Sequence, residues 1–370
     1  MPGREPLRLA VAGGGTGGHL FPGLAVAELA RDRSAAAEVV FFGARRGIES
    51  WAVPKAGFEL LAEDLHGIAG GSVPAALRSL AEMGRATLRV RRELRRRRIQ
   101  VVLGLGGYAS APAVLAARSL GLPVVLLEQN RRPGIANRML GRLATRVCTS
   151  FEATASSFPA GRSVCTGNPL RRGFAARPPF EGRDLLLVFG GSAGARSLNR
   201  AITVALAALA ADPATRSRLP GGRLPTIVHQ VGKPFVEEVR AAYAAAGIPA
   251  DVRDFIDDMA SVIARARLAV CRAGATSIAE LAATGTPSVL VPLANSAGGH
   301  QLENARELEL HGASRVVLDD ERCARSLQEE LAKLLPDDGA LRLMSDRAAA
   351  MGRAGAAERV LDVIVALAGD

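Results

Sequence analysis

Two parallel-sheet α/β domains, each opening on a strand, a glycine turn and a helix, are the fold class this sequence predicts. Three observations carry that reading. Short apolar runs alternate with helical patterns over most of the length, which implies βαβ crossovers and a parallel sheet with helices on both faces. The strand, glycine turn and helix that open the chain recur about half a chain later. The 370 residues also exceed what one domain of ~150 residues accounts for.

The first series of expected strands is Leu7–Ala12, Val39–Phe42, Val101–Leu105, Val124–Leu127 and Val147–Thr149. The second is Leu185–Phe189, Thr226–Gln230, Leu268–Cys271 and Ser288–Pro292. Each is a short apolar run of strand length. Between them fall helical stretches at Gly23–Arg31, Ala113–Leu120, Ser197–Ala211 and Ser277–Thr284. In the repeat, Leu9–Ala12 leads into Gly14-Gly15-Thr16-Gly17-Gly18-His19, and Leu185–Phe189 into Gly190-Gly191-Ser192-Ala193-Gly194-Ala195. Proline and arginine break the apolar rhythm at Asn168-Pro169-Leu170-Arg171, so the expected domains are 1–168 and 169–354, each Rossmann-like.

Composition is that of a globular chain, 48% hydrophobic and 22% charged. The four cysteines, Cys148, Cys165, Cys271 and Cys323, are too scattered for a disulfide framework and form no CxxC pair for zinc, which fits a reducing, cytosolic setting. The N-terminus runs straight into Leu7–Ala12 and a glycine cluster, so no secretory segment is expected. The uncharged stretch Val101 to Ala117 is shorter than the ~20 residues of a spanning helix and is broken by Gly104, Gly106, Gly107 and Pro112. The net charge of +11 rests almost wholly on arginine, the lysines being Lys55, Lys233 and Lys333. Such an excess implies an anionic partner: nucleic acid, a phospholipid surface or a phosphorylated substrate.

Glycine at the end of a parallel strand lets backbone N–H groups approach an oxyanion, and the following helix adds its positive N-terminal end. Gly13-x-Gly15-x-x-Gly18 matches a dinucleotide fingerprint, but the second strand ends Phe41-Phe42-Gly43-Ala44-Arg45-Arg46 without the carboxylate that reads a ribose diol. NAD is therefore disfavoured, and NADP survives only through Arg45 and Arg46. The plain alternative for any one loop is a turn that packs strand on helix. A third loop, Arg272-Ala273-Gly274-Ala275-Thr276-Ser277, precedes a helix containing Glu280. Amides at Ala275, Thr276 and Ser277 can accept a diphosphate, and Glu280, one turn further on, can accept both hydroxyls of a ribose. Together they describe a nucleotide-diphosphate site; a solvated helix face or an ion pair is the other reading of Glu280.

Pro74 to Arg98 reads as a helix with Arg78, Arg85, Arg89, Arg92 and Arg96 on one face and Leu77, Leu80, Leu88 and Leu94 on an apolar side. It is either a solvated cationic face or a contact with anionic headgroups. No aromatics interleave with the arginines to stack bases, so nucleic acid ranks below both.

The motifs GGGTGGHLFPGLAVAEL (Gly13–Leu29), GLGGYASAP (Gly104–Pro112), EQN (Glu128–Asn130) and GNPLR (Gly167–Arg171) form one set. GGSAGARSLN (Gly190–Asn199), HQVGK (His229–Lys233), FIDDM (Phe255–Met259) and CRAGATSIAE (Cys271–Glu280) complete it. Together, in order and over nearly the whole chain, they closely resemble the MurG family, bacterial N-acetylglucosaminyltransferases that convert lipid I to lipid II in peptidoglycan synthesis.

That resemblance implies a GT-B fold: two Rossmann-like domains facing across a cleft, with lipid I mainly on the N-terminal half and UDP-GlcNAc on the C-terminal half. The last helix, Ala356–Leu367, would return to the first domain. Ile256 would hold uracil, Ala275, Thr276 and Ser277 would take the diphosphate, Ile278 and Ala279 would belong to the same substrate-binding segment, and Glu280 would bind the ribose. Ser192 and Arg171 would approach phosphate or sugar. Gln301, Asn304 and Asn130 would read N-acetylglucosamine. Thr16, Gly17 and Gly18 would border the reaction centre, and Gly14, Gly15, Gly106, Gly107 and Tyr108 would hold the acceptor diphosphate. The implied location is the cytoplasmic face of the inner membrane, peripherally, on an anionic surface. Two departures from the family pattern stand out, Arg131-Arg132-Pro133 after EQN and Gly298-Gly299 before His300-Gln301.

The implied step displaces UDP from the anomeric carbon by the 4-hydroxyl of N-acetylmuramic acid, with inversion. It needs a base near the hydroxyl and charge stabilisation on UDP. The chain contains no D-x-D motif, and its five histidines lack metal-ligand spacing. A metal-independent transfer without a cofactor is therefore expected, with the helix start at Ala275–Ser277 stabilising the leaving diphosphate and Arg171 as a supporting cation. His19 is singled out as base because the matching position of the second loop is Ala195; binding phosphate or a structural role are its alternatives. Glu128 is the reserve base. A different UDP-sugar transferase with a lipid acceptor is the alternative function; an NADP oxidoreductase or a basic nucleic-acid-binding module stands further off.

Overall fold

The computed structural model describes residues 5–45, 47–63, 73–174, 178–191 and 194–369. Arg46 and Ser192 lie outside the described residues, as does the side chain of Leu77. The chain divides into two units, Met1–Arg171 with Gly355–Asp370, and Arg172–Ala354.

The first unit runs β1 (Arg8–Ala12), α1 (Gly17–Arg33), β2 (Glu38–Ala44), α2 (Glu49–Lys55), β3 (Glu59–Glu63), α3 (Val73–Arg96), β4 (Val101–Gly104), α4 (Ala111–Ser119), β5 (Val124–Glu128), α5 (Ile135–Leu140), β6 (Arg146–Thr149) and β7 (Ser163–Cys165). The second continues β8 (Leu185–Phe189), α6 (Arg196–Ala211), α7 (Pro213–Arg218), β9 (Thr226–Gln230), α8 (Val236–Ala245), β10 (Ala250–Arg253), α9 (Met259–Arg265), β11 (Ala266–Cys271), α10 (Ala275–Thr284), β12 (Ser288–Leu290), α11 (His300–Leu310), β13 (Ser314–Val316), α12 (Cys323–Leu334) and α13 (Asp338–Met351). The last helix, α14 (Ala356–Ala368), belongs to the first unit.

Each unit is one parallel sheet, of seven strands in the order β3-β2-β1-β4-β5-β6-β7 and of six in the order β10-β9-β8-β11-β12-β13. Alternation along β1 explains the layers. Leu9 and Val11 join Leu20 and Leu24 of α1 and Val360, Leu361 and Ile364 of α14 on one face. Ala10 and Ala12 join Val90 and Leu94 of α3 and Val114 and Ala117 of α4 on the other. Burial on both faces is why these strands read as unbroken apolar runs. Helix α14 is tied down by Arg33 to Asp362 at 2.6 Å and by Arg359, which donates to the carbonyl of Thr166 at 2.7 and 3.0 Å.

Four strands escape the sequence reading: β3, β7, β10 and β13. All four are sheet edges. Helix α1 starts at Gly17 rather than Gly23 and takes Pro22 into its interior, where burial of Leu20, Leu24 and Val26 offsets the lost N–H bond. On α3 the buried residues are Ala86, Val90 and Leu94, whereas Leu80 and Leu88 are each 67% exposed. The apolar side expected there thus splits, and Leu88 shares a face with Arg85 and Arg92. Among the described residues, no helix is long and apolar enough to cross a membrane.

Candidate active site

In each sheet the strand order reverses once, between β1 and β4 and between β8 and β11. Loops leaving such neighbouring strands diverge in opposite directions and open a crevice at their carboxyl ends, where ligands bind in open α/β sheets. The first glycine loop and Gly104–Tyr108 follow β1 and β4; Gly190–Gly194 and Arg272–Gly274 follow β8 and β11. The topology therefore gathers all four loops at the two reversal points.

In the first unit, a β-carbon on Gly13 would lie 2.7 Å from the carbonyl of Gly106, so the two loops meet backbone to backbone. Thr16 is the exposed N-cap residue of α1, but its side chain does not cap the helix, and the first turn carries no acid. The amide end of α1 is thereby presented around Thr16, Gly17 and Gly18, the arrangement that suits an anion. Tyr108 is half-buried, and desolvation, with the charge of Glu82 second, raises its phenol above the usual range.

Beneath the loop sits a residue that the sequence reading missed. Glu49, wholly buried, accepts the amide of Gly15 with both carboxylate oxygens (3.0 and 3.2 Å) and the amide of Ala44 with Oε1 (3.1 Å). A β-carbon on Gly14 would lie 2.9 Å from the Glu49 carboxyl carbon. In the expected diphosphate cradle, then, Gly14 is buried and the amide of the exposed Gly15 donates to a protein carboxylate, because a buried charge needs donors. Sequence offered only an acid at the start of a short helix as a signal.

His19 stands in the first turn of α1, half-buried, with Nδ1 3.0 Å from Oε1 of Gln129. Gln129, 1% exposed, donates Nε2–H to the carbonyl of Leu105 at 3.1 Å. Gln129 too was passed over, although it lies inside the EQN motif. The repeat that singled out His19 is offset in three dimensions: His19 is the third residue of α1, whereas Ala195 is the residue before α6.

Glu128, the expected reserve base, has its carboxylate engaged by the protein. Only 1% exposed, it accepts from Asn130 N and Nδ2 (2.9 and 3.2 Å), Gly134 N (3.2 Å) and Asn137 Nδ2 (3.0 Å), and so anchors the loop from β5 to α5. Asn130 is held half-buried by that contact. Arg171 places its guanidinium 4.5 Å from the ring centroid of Phe21 on α1, which sets its head beside the helix that carries His19.

In the second unit, α10 opens at Gly274 without a side-chain cap or a first-turn acid, and its first i to i−4 bond runs from Ile278 N–H to Gly274 at 3.0 Å. The helical amides of Ala275, Thr276 and Ser277 precede that bond. The Ile278 side chain is core, 3% exposed. Glu280 is 7% exposed on the same helix; burial, then the Glu280 charge, push the Cys271 thiol up. A cavity of about 570 Å³ lies at the start of α6, lined by Gly190, Gly194, Ser197, Arg200, Arg272 and Gln301 among others. Arg272 is fixed by Asp319 (2.8 Å), Ser197 Oγ (2.7 Å) and the carbonyl of Val291 (2.9 Å).

Three residues expected at the sugar and the base differ in their surroundings. Asn304 is wholly buried and donates to the carbonyl of Ala273 at 3.3 Å, so it supports the loop before α10. Gln301 keeps its place at the cavity, its Oε1 accepting the amide of Leu293 at 3.0 Å, and Gly298 and Gly299, both at positive φ, shape the turn into α11. Ile256 is 2% exposed and its amide donates to Gln230 Oε1 at 2.8 Å. His229 is structural: Nδ1 lies 3.0 Å from the Tyr243 hydroxyl and Nε2 3.2 Å from Asn199 Oδ1, and burial lowers its pKa to about 3.

Family models for the glycosyltransferase family 28 N-terminal and C-terminal domains match residues 9–149 and 185–360. A Trichlorobacter lovleyi protein is 40% identical over 96% of this chain and 97% of its own; it is named UDP-N-acetylglucosamine–N-acetylmuramyl-(pentapeptide) pyrophosphoryl-undecaprenol N-acetylglucosamine transferase. A protein of the same name from Syntrophotalea carbinolica is 42% identical over 96% of this chain and 98% of its own. The chain belongs to the MurG branch of glycosyltransferase family 28. The crystal structure of Acinetobacter baumannii MurG superposes with a TM-score of 0.79 at 30% identity, over 98% of this chain and 100% of that one. At 19% identity and a TM-score of 0.67, the glycosyltransferase of kitacinnamycin shares the fold over 98% of this chain and 100% of its own. MurG membership accounts for two parallel-sheet units with a glycine loop at each reversal point, the GT-B arrangement of sheets.

Proposed function

We infer that this enzyme transfers N-acetylglucosamine from UDP-N-acetylglucosamine to the 4-hydroxyl of the N-acetylmuramic acid of lipid I, inverting the anomeric centre to form lipid II. The observation that carries the reading is a likeness to transferases of that name at 40% identity or more across both units.

The second unit holds the donor. The uncapped start of α10 receives the diphosphate, Glu280 reads the ribose, the carbonyl of Ile256 meets uracil, and Gln301 faces the sugar. The first unit holds the acceptor, with its diphosphate at the start of α1 and at Gly106-Gly107-Tyr108, and Arg171 supporting phosphate charge. In the step itself the acceptor oxygen bonds to the anomeric carbon as the carbon–phosphate-oxygen bond breaks. The electron pair leaves with UDP, and the hydroxyl proton passes to His19 Nε2. Amide dipoles of α10 stabilise the departing charge where it grows, the placement that lowers a barrier most.

The acceptor is tethered to a membrane, and the exposed mixture of Leu80, Leu88 and arginines on α3 supports peripheral contact with an anionic surface. Transfer of labelled sugar from UDP-N-acetylglucosamine to a lipid I analogue, in the presence of EDTA, tests the function. Turnover that is selective over UDP-glucose is expected; preference for UDP-glucose, or loss of turnover with EDTA, overturns the reading.

A further inference from the structure

We propose that Gln129 is a positioning residue that gives His19 the tautomer a proton acceptor needs, an inference that rests on the role assigned to His19 above. The contacts leave one assignment. The Leu105 carbonyl can only accept, so the Gln129 atom 3.1 Å away is the amide nitrogen, and Oε1 therefore faces the imidazole. Oε1 cannot donate, so its 3.0 Å contact is a hydrogen bond only when His19 Nδ1 carries the hydrogen. Neutral His19 is thus the Nδ1–H tautomer, with its lone pair on Nε2. When Nε2 takes up a proton, the Nδ1–H bond to Gln129 persists and steadies the cation.

The support is rigid. Leu105 follows β4 and Gln129 follows β5, neighbouring strands in register from Val102 with Val124 to Gly104 with Leu126. Both residues are buried, so the amide cannot exchange its partners for water. An imidazole in water favours the opposite tautomer, with hydrogen on Nε2, and that form would present a donor rather than an acceptor to a sugar hydroxyl.

The chain uses the same device elsewhere with the opposite result. Asn199 Nδ2 donates to the carbonyl of Val231 at 3.0 Å, so Asn199 Oδ1 must accept from Nε2 of His229. Nδ1 of His229 then accepts from the Tyr243 hydroxyl. At His229 both nitrogens are spent on protein partners; at His19, among the described residues, only Nδ1 is. An amide relay thus sets each ring, and only the one in the first unit leaves a lone pair for chemistry.

The test is ring-nitrogen NMR on the full chain labelled with ¹⁵N-histidine, the His19 signals being identified by their loss in His19→Ala. A neutral His19 with pyrrole-type Nδ1 and pyridine-type Nε2 is expected; the reverse pattern in the wild-type protein overturns the proposal whatever any variant does. Gln129→Leu should move the signals toward the Nε2–H form and lower kcat roughly 10- to 100-fold, the range for removing the partner that orients a working imidazole. The KM for UDP-N-acetylglucosamine should not change. Gln129→Glu, which still offers an acceptor to Nδ1, should restore the wild-type signal pattern. Unchanged kcat in a folded Gln129→Leu protein overturns the proposal. Unchanged kcat in His19→Ala overturns the base reading instead and leaves the tautomer measurement intact.

Discussion

Replacing Glu49 with alanine asks whether a protein carboxylate shapes the first glycine loop. The side chain is 0% exposed and satisfies two amides, those of Gly15 and Ala44. An amide left unpaired away from water costs about 1–3 kcal/mol, and the exposed Gly15 and half-buried Ala44 keep the cost toward the lower end. Relief of the buried charge offsets part of this, so the first unit should lose about 1–3 kcal/mol overall. Glu49→Gln can keep Oε1, the oxygen that serves both amides, and forfeits only the 3.0 Å bond from Gly15 to Oε2, so about 1 kcal/mol is expected. Urea denaturation followed in the first unit should rank wild type above Gln above Ala, while UDP affinity measured by calorimetry stays constant. An alanine variant with the wild-type midpoint would refute the reasoning. So would tighter binding of a lipid I analogue by Glu49→Ala, because the Gly15 amide would then be a phosphate ligand that Glu49 merely competes for.

Four further outcomes are expected. His19→Ala should lower turnover by roughly 10²- to 10⁴-fold with unchanged UDP affinity in calorimetry. Ala275→Pro should weaken UDP binding about 10- to 100-fold, more than it lowers thermal stability, because proline fits the first helical position and removes an amide that the proposed function assigns to the diphosphate. Burial lowers the His229 pKa to about 3 from an ordinary 6.5, so between these values the unfolded chain binds more protons. Stability is therefore full above pH ~6.5 and falls as pH drops, by up to about 1.4 kcal/mol per pH unit; the urea midpoint of His229→Gln should be flatter from pH 6 to pH 4. Finally, the protein should cosediment with anionic vesicles more than with neutral ones, and replacing Arg85 and Arg92 by serine should cost ~1 kcal/mol each; equal binding to both vesicles would count against the cationic contact.

The strands visible in the sequence and those hidden from it divide by position in the sheet. β1, β4, β5, β8 and β11 are interior and need apolar residues on both faces, so they announce themselves. The overlooked β3, β7, β10 and β13 are edges, where one side of the ladder has no neighbour and charged residues such as Glu59, Arg253 and Arg315 are tolerated. The misread face of α3 has a similar cause. Leucines at helical spacing suggested an inner side, but packing on α4 through Ala86, Val90 and Leu94 left Leu80 and Leu88 in solvent.

By itself the sequence determined the class of fold, the glycine loops, the arginine-rich helix and the family, since each is written in local composition and order. What only the tertiary structure decided is which polar side chains are spent on the protein and which remain for a substrate. Glu128, Asn304 and the Gly15 amide each carry protein hydrogen bonds that no local pattern announced, whereas Glu49 and Gln129 looked ordinary and contact the loop and the imidazole. Hydrogen-bond partners separated by tens of residues in the chain are set by strand order and burial, and no local pattern of residues records them.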